Sequence, residues 1–243
     1  MTAKFFHFLL FSLNLYSGES LKTNQKDVKK MKKIRKSFIA SMCLLAAFVL
    51  WTVAICFVDV RAIGPQGSSV GFAGINGFVH NLTGVHFSLY NITDWLGLVP
   101  IFVCLGFGIL GLVQWIKRKN IRKVDCDIFV LGGFYIVTIA AYLFFESVVI
   151  NYRPVLIGGI LEASYPSSTT MLVMCVMPTA IMQLKSRIKN KAVCTIASVT
   201  IIAFIAFMVI GRLISGVHWF TDIVGGALLS AGLVMLYYSV CKM

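Results

Sequence analysis

Six long stretches of this chain are almost free of charge, and short polar stretches separate them. They lie near residues 38–58, 95–116, 128–150, 167–184, 192–213 and 221–240. A helix needs about 20 consecutive apolar residues to cross a bilayer, so each stretch predicts one span. The third carries a single charge, Glu146, near its end. The fourth opens on Pro166-Ser167-Ser168-Thr169-Thr170, hydroxyl residues suited to capping a helix start. The pattern predicts an all-α, six-transmembrane helical bundle over residues 38–240, behind a basic N-terminal segment, 1–37.

Composition agrees. Apolar residues make up 58% of 243 and charged residues 13%, against about 25% charged in a soluble domain. Mean hydropathy is +0.87. The net charge of +13 would suit nucleic acid, but its placement argues for a membrane and no nucleic acid. Nine Lys and Arg precede the first span, five lie at 117–123, four at 185–191, and Lys242 follows the last span. The remaining loops hold only Arg61, Arg153 and Arg212. Basic loops stay on the cytoplasmic side, which predicts a multi-pass cell-membrane protein with both termini cytoplasmic and the other loops outside.

Within 1–37, Phe5–Tyr16 is apolar but too short to span and is like a signal-peptide core. Met31-Lys32-Lys33-Ile34-Arg35-Lys36 reads as a natural start, so 1–30 are expected to be an over-extended start or a dispensable tail. The seven cysteines show no C-x-x-C spacing and fall mostly within spans. They predict neither a disulfide framework nor a metal site.

Chemistry is expected in the outer loops. Near the C-terminus stands Arg212-x5-His218-x3-Asp222. A histidine and a carboxylate four residues apart share one helix face, so Asp222 would hold one ring nitrogen and free the other as base or nucleophile. Arg212 and Arg153 offer guanidinium forks suited to phosphate oxygens. The helix start at Ser167 and Ser168 offers backbone N–H groups to an anion. Glu146 stands seven residues before Arg153, about two helical turns, and an ion pair between them is the plainer reading.

At these residues the chain resembles the phosphatidic acid phosphatase type 2 family, the haloperoxidase-like integral membrane lipid phosphatases. The family pattern is Lys-x6-Arg-Pro, Pro-Ser-Gly-His and Ser-Arg-x5-His-x3-Asp. Here it reads Glu146-x6-Arg153-Pro154, Pro166-Ser167-Ser168-Thr169 and Gly211-Arg212-x5-His218-x3-Asp222. The resemblance implies that His218 attacks phosphorus and forms a phosphohistidine, that Asp222 orients it, and that Arg153, Arg212, Ser167 and Ser168 hold phosphoryl oxygens. It implies no metal or other cofactor, and a lipid phosphate or polyprenyl diphosphate as substrate.

Two positions depart from that pattern. Thr169 stands where the family has the histidine that protonates the leaving oxygen, and Glu146 replaces a phosphate-binding lysine. Either the leaving group is good enough, as in undecaprenyl diphosphate, or another residue supplies the proton: Glu146, Glu162, His80 or His86. A lipid-linked phosphotransferase and a non-catalytic lipid-phosphate binding or transport protein are the alternatives.

Overall fold

A computed structural model describes residues 25–242. The Phe5–Tyr16 stretch lies outside them. The described part of the basic stretch is continuous with the first span: α1 (Gln25–Phe57) runs unbroken through Met31. The first outer loop folds more than its mixed polarity suggests, into α2 (Ala73–Thr83) and α3 (Phe87–Leu96). The chain then continues as α4 (Leu98–Arg118), α5 (Cys126–Ser147), α6 (Ser168–Arg187), α7 (Lys191–Ile214) and α8 (Phe220–Lys242).

Five described segments are long and apolar enough to cross a membrane: Val28–Phe57, Phe87–Arg118, Cys126–Ser147, Lys191–Ile214 and Phe220–Lys242. The expected fourth span forms as the helix α6 but falls short in apolar content. Its polar residues face protein instead of lipid. Thr179 and Gln183 are buried. Thr179 Oγ1 donates to the Val176 carbonyl at 2.8 Å, and Gln183 Nε2 donates to Tyr237 Oη at 2.5 Å. A polar group in an apolar surrounding is stable only with such partners, so α6 belongs inside the bundle.

α8 is the other central helix, and α1 packs along it. Gly232 makes that approach possible, since a Cβ there would lie 2.8 Å from Leu45. Ser41 Oγ then donates to the Gly232 carbonyl at 2.8 Å. Small residues let apolar helices approach where water supplies no drive. Around this pair Phe48, Leu131, Phe134, Tyr165, Met171, Leu229 and Leu233 form the main core.

The six long helices alternate in direction, so polar residues gather at two ends. One end holds a structural cluster: Arg187 grips Asp127 through two hydrogen bonds, at 2.8 and 3.1 Å, and Arg118 pairs with Asp125 at 2.8 Å. The described chain ends, Gln25 and Lys242, lie at this end. The opposite end collects the loops before α2, between α5 and α6, and between α7 and α8.

Gly71 sits where the chain turns from α1 into α2, and a Cβ there would lie 1.7 Å from the Ile55 carbonyl oxygen. Backbone would have to move, so Gly71→Ala is expected to cost about 1–3 kcal/mol. Gly106, on α4, has nothing within 4 Å of such a Cβ. Gly106→Ala is expected to be neutral or stabilising by up to about 1 kcal/mol. Thermal unfolding in detergent checks both; equal midpoints for the two variants would contradict this packing.

Candidate active site

Residues 151–164, between α5 and α6, form a small antiparallel clip. Its tip is Ile157-Gly158-Gly159-Ile160, with φ of +58° and +82° at the two glycines. Two consecutive positive φ values define the tight hairpin turn that matches strand twist. The Ile157 and Ile160 backbones bond reciprocally at 3.1 and 3.0 Å. Further down, Arg153 N donates to Glu162 O at 3.0 Å, and Ser164 N donates to Asn151 O at 2.9 Å. The rungs therefore hold Arg153 and Ser164 side by side.

His218 comes from the turn between α7 and α8. That turn is placed by Gly216, at φ +67°, where a Cβ would meet the Gly84 carbonyl oxygen at 1.9 Å. Asp222 lies in the first turn of α8 and is wholly buried. Its Oδ2 accepts from Trp219 N at 2.9 Å, which caps the helix, and its Oδ1 accepts from Asn151 Nδ2 at 3.4 Å. The helix dipole adds favourable potential for a carboxylate there.

The expected helical pairing of His218 with Asp222 is corrected by this geometry. His218 precedes the helix and does not lie on it. Its Nδ1 is 3.9 Å from Asp222 Oδ2, too far for a hydrogen bond. Ser164 stands between them, its Oγ 3.0 Å from Nδ1 and 2.5 Å from Oδ2. On the other side of the ring, Nε2 faces Arg153 Nη1 at 3.5 Å. Burial holds the His218 pKa well below its usual 6.5, and the charges of Arg153 and Arg212 push the same way. The ring is therefore a neutral imidazole with a nitrogen turned to a fixed cation.

The other expected residues divide into groups. Glu146 and Ser168 line one narrow cavity with Ser164 and His218. The cavity encloses about 10 Å³, room for roughly one water. Arg153 pairs with Glu162 and not with Glu146: its Nε is 3.0 Å from Glu162 Oε2. The N–H does not point along that line, which leaves a buried donor open. Ser167 turns away to cap α6, accepting from Thr170 N at 3.4 Å.

Arg212 is held by a separate set of partners. One nitrogen donates to Thr169 Oγ1 at 2.5 Å and to Asp94 Oδ1 at 3.0 Å, while its Nε is buried without a partner. His80 packs its ring on Trp219 at 5.4 Å. His86 lies apart, with Nε2 2.9 Å from the Thr83 carbonyl. No group of three metal-ligating side chains occurs among the described residues.

Sequence reasoning missed Ser164, Asn151 and Asp94. The Gly158-Gly159 pair between isoleucines was the available signal, since it predicts the hairpin that sets Asn151 opposite Ser164.

The model of the PAP2 superfamily matches residues 134–243. Among solved structures, this chain is similar to the crystal structure of the first transmembrane PAP2-type phosphatidylglycerolphosphate phosphatase from Bacillus subtilis, with a TM-score of 0.56 and 17% sequence identity. The likeness covers 83% of this chain and 96% of that one, and at this identity it speaks for the fold. No curated protein matches this chain in sequence.

A histidine whose folded pKa is depressed resists protonation that the unfolded chain accepts. Its stabilising effect is complete above the unfolded value, near 6.5, and is lost as pH falls below it. Burial lowers the His80 pKa as well, so the His218 share must be read by difference. The unfolding midpoint should fall from pH 7.5 to pH 5.5, and fall less in His218→Gln. An equal fall in both proteins would contradict a buried neutral His218.

Proposed function

Residues 134–243 belong to the PAP2 superfamily, and from that premise and the geometry around His218 we propose that this chain is a membrane lipid phosphatase acting through a phosphohistidine. The carrying observation is the buried His218, with Nε2 3.5 Å from the Arg153 guanidinium. A nucleophile beside a fixed cation suits an electrophile that carries anionic oxygens, and phosphoryl transfer depends mostly on such positioning.

In this reading Nε2 forms the bond to phosphorus, and the bond to the lipid oxygen breaks with its electron pair. Arg153, Arg212 and Ser168 take the phosphoryl oxygens, and the open Nε donors of both arginines are free to serve. Glu146 is the residue placed to pass a proton to the leaving oxygen. It is favoured because it shares the His218 cavity, whereas Glu162 is engaged with Arg153, His80 with Trp219 and His86 with Thr83. Water then attacks the phosphohistidine and returns a proton to Glu146. Inorganic phosphate leaves, and His218 is again neutral.

Thr169, at the position of the family's histidine, fastens Arg212 instead of donating a proton. That supports substrates whose leaving group needs little protonation, such as a polyprenyl diphosphate. The surplus of Lys and Arg at the end opposite His218 supports an extracytoplasmic site and cytoplasmic termini. A phosphotransferase would share every step up to the phosphohistidine and differ in using an alcohol acceptor.

Purified protein should release phosphate from one or more of phosphatidic acid, phosphatidylglycerol phosphate and undecaprenyl diphosphate. His218→Ala should lower that release by at least about 10³-fold, and equal turnover would remove the nucleophile assignment. Glu146→Gln should slow monoester hydrolysis by about 10²–10⁴-fold, the usual contribution of a positioned acid, and diphosphate hydrolysis less. A uniform loss across substrates would argue that Glu146 has another role.

A further inference from the structure

Ser164 is the link between His218 and its carboxylate. The direct Nδ1 to Oδ2 distance is 3.9 Å. Ser164 Oγ closes that gap, at 3.0 Å from the ring and 2.5 Å from Asp222. All three side chains are buried, so bulk water has little access to these bonds. Ser164 is also held from behind, because its backbone N donates to Asn151 O at 2.9 Å, and Asn151 Nδ2 reaches Asp222 Oδ1.

Proton counting fixes the direction of the chain. A serine hydroxyl has one proton to donate. The carboxylate of Asp222 is acceptor-only and already accepts from Trp219 N and Asn151 Nδ2. The Ser164 proton therefore goes to Asp222, and Ser164 Oγ must accept from the ring. That places the imidazole hydrogen on Nδ1 and leaves the Nε2 lone pair as the acceptor facing Arg153 Nη1 at 3.5 Å. We propose that Ser164 is a positioning residue that sets the His218 tautomer and passes the influence of Asp222 to it.

This role rests on the hydrolase reading above only for its kinetic consequence. As Nε2 bonds to phosphorus and the leaving oxygen departs with its electron pair, positive charge develops on the ring. The Nδ1 proton then shifts toward Ser164 Oγ, and the Ser164 proton shifts toward Asp222. When water breaks the P–N bond, the electron pair returns to Nε2 and both protons return. Nothing is gained or lost by the relay over a turnover.

The test compares wild type, Ser164→Ala and Ser164→Thr, with unfolding midpoints recorded for each as a check on folding. Nitrogen NMR of histidine-labelled protein, with His218 assigned by its loss in His218→Gln, reads the tautomer without any substrate. Wild type and Ser164→Thr should carry the proton on Nδ1, and folded Ser164→Ala should show a mixture. The same single tautomer in Ser164→Ala as in wild type would overturn the proposal. On a substrate that wild type turns over, Ser164→Ala should lower kcat by about 10²-fold with KM within about 2-fold, since loss of tautomer control costs up to about 10⁴. Ser164→Thr should restore most of that rate. An unchanged kcat in Ser164→Ala would also overturn the relay. Undiminished turnover by His218→Ala would defeat the hydrolase reading while leaving the tautomer result to stand on its own.

Discussion

Asp222 carries its carboxylate where water does not reach, and much of this end of the protein is arranged around that fact. Moving a charge out of water costs several kcal/mol unless hydrogen bonds replace hydration. The replacements come from three places: Trp219 N from the turn before α8, Ser164 Oγ from the clip, and Asn151 Nδ2 from the clip's other arm. Satisfying one carboxylate thus pins the clip to α8. The same contacts bring Arg153 to within 3.5 Å of His218.

Central burial of α6 follows a related logic. A helix with Thr170, Thr179 and Gln183 along it is poorly suited to lipid and well suited to a bundle interior. Its N-terminal turn then carries Ser168 into the His218 cavity and Thr169 to Arg212. Thr169 has an evident task there, since it helps hold a buried guanidinium that also meets Asp94. The departure from the family's histidine is therefore filled by a local contact, and in the proposed reaction the proton comes from elsewhere in the cavity.

The long helices were legible because apolar runs of span length are a strong signal. α6 was legible as a helix, from Ser167 capping and its apolar run, while its apolar content falls below that of the other long helices through residues such as Thr179 and Gln183, which only the fold shows to be partnered. The two short helices of the first loop were hidden by mixed polarity. At the site, Arg153, His218, Asp222 and the hydroxyl-capped helix start could be read from spacing. The His218–Asp222 link could not, because a spacing of four implies one helix face while His218 lies before the helix. Ser164 and Asn151 depend on a hairpin pairing across the chain, and Asp94 on a contact between α3 and α7. Such long-range contacts leave no local periodicity.

The most direct test of a nucleophilic His218 is rapid chemical quenching during turnover of a substrate labelled on the transferred phosphoryl group, followed by peptide mapping. Acid-labile label is expected on the peptide containing His218, attached through Nε2 and absent from His218→Ala. Wild-type turnover with no label on His218, in a quench fast enough to catch a single turnover, would contradict it.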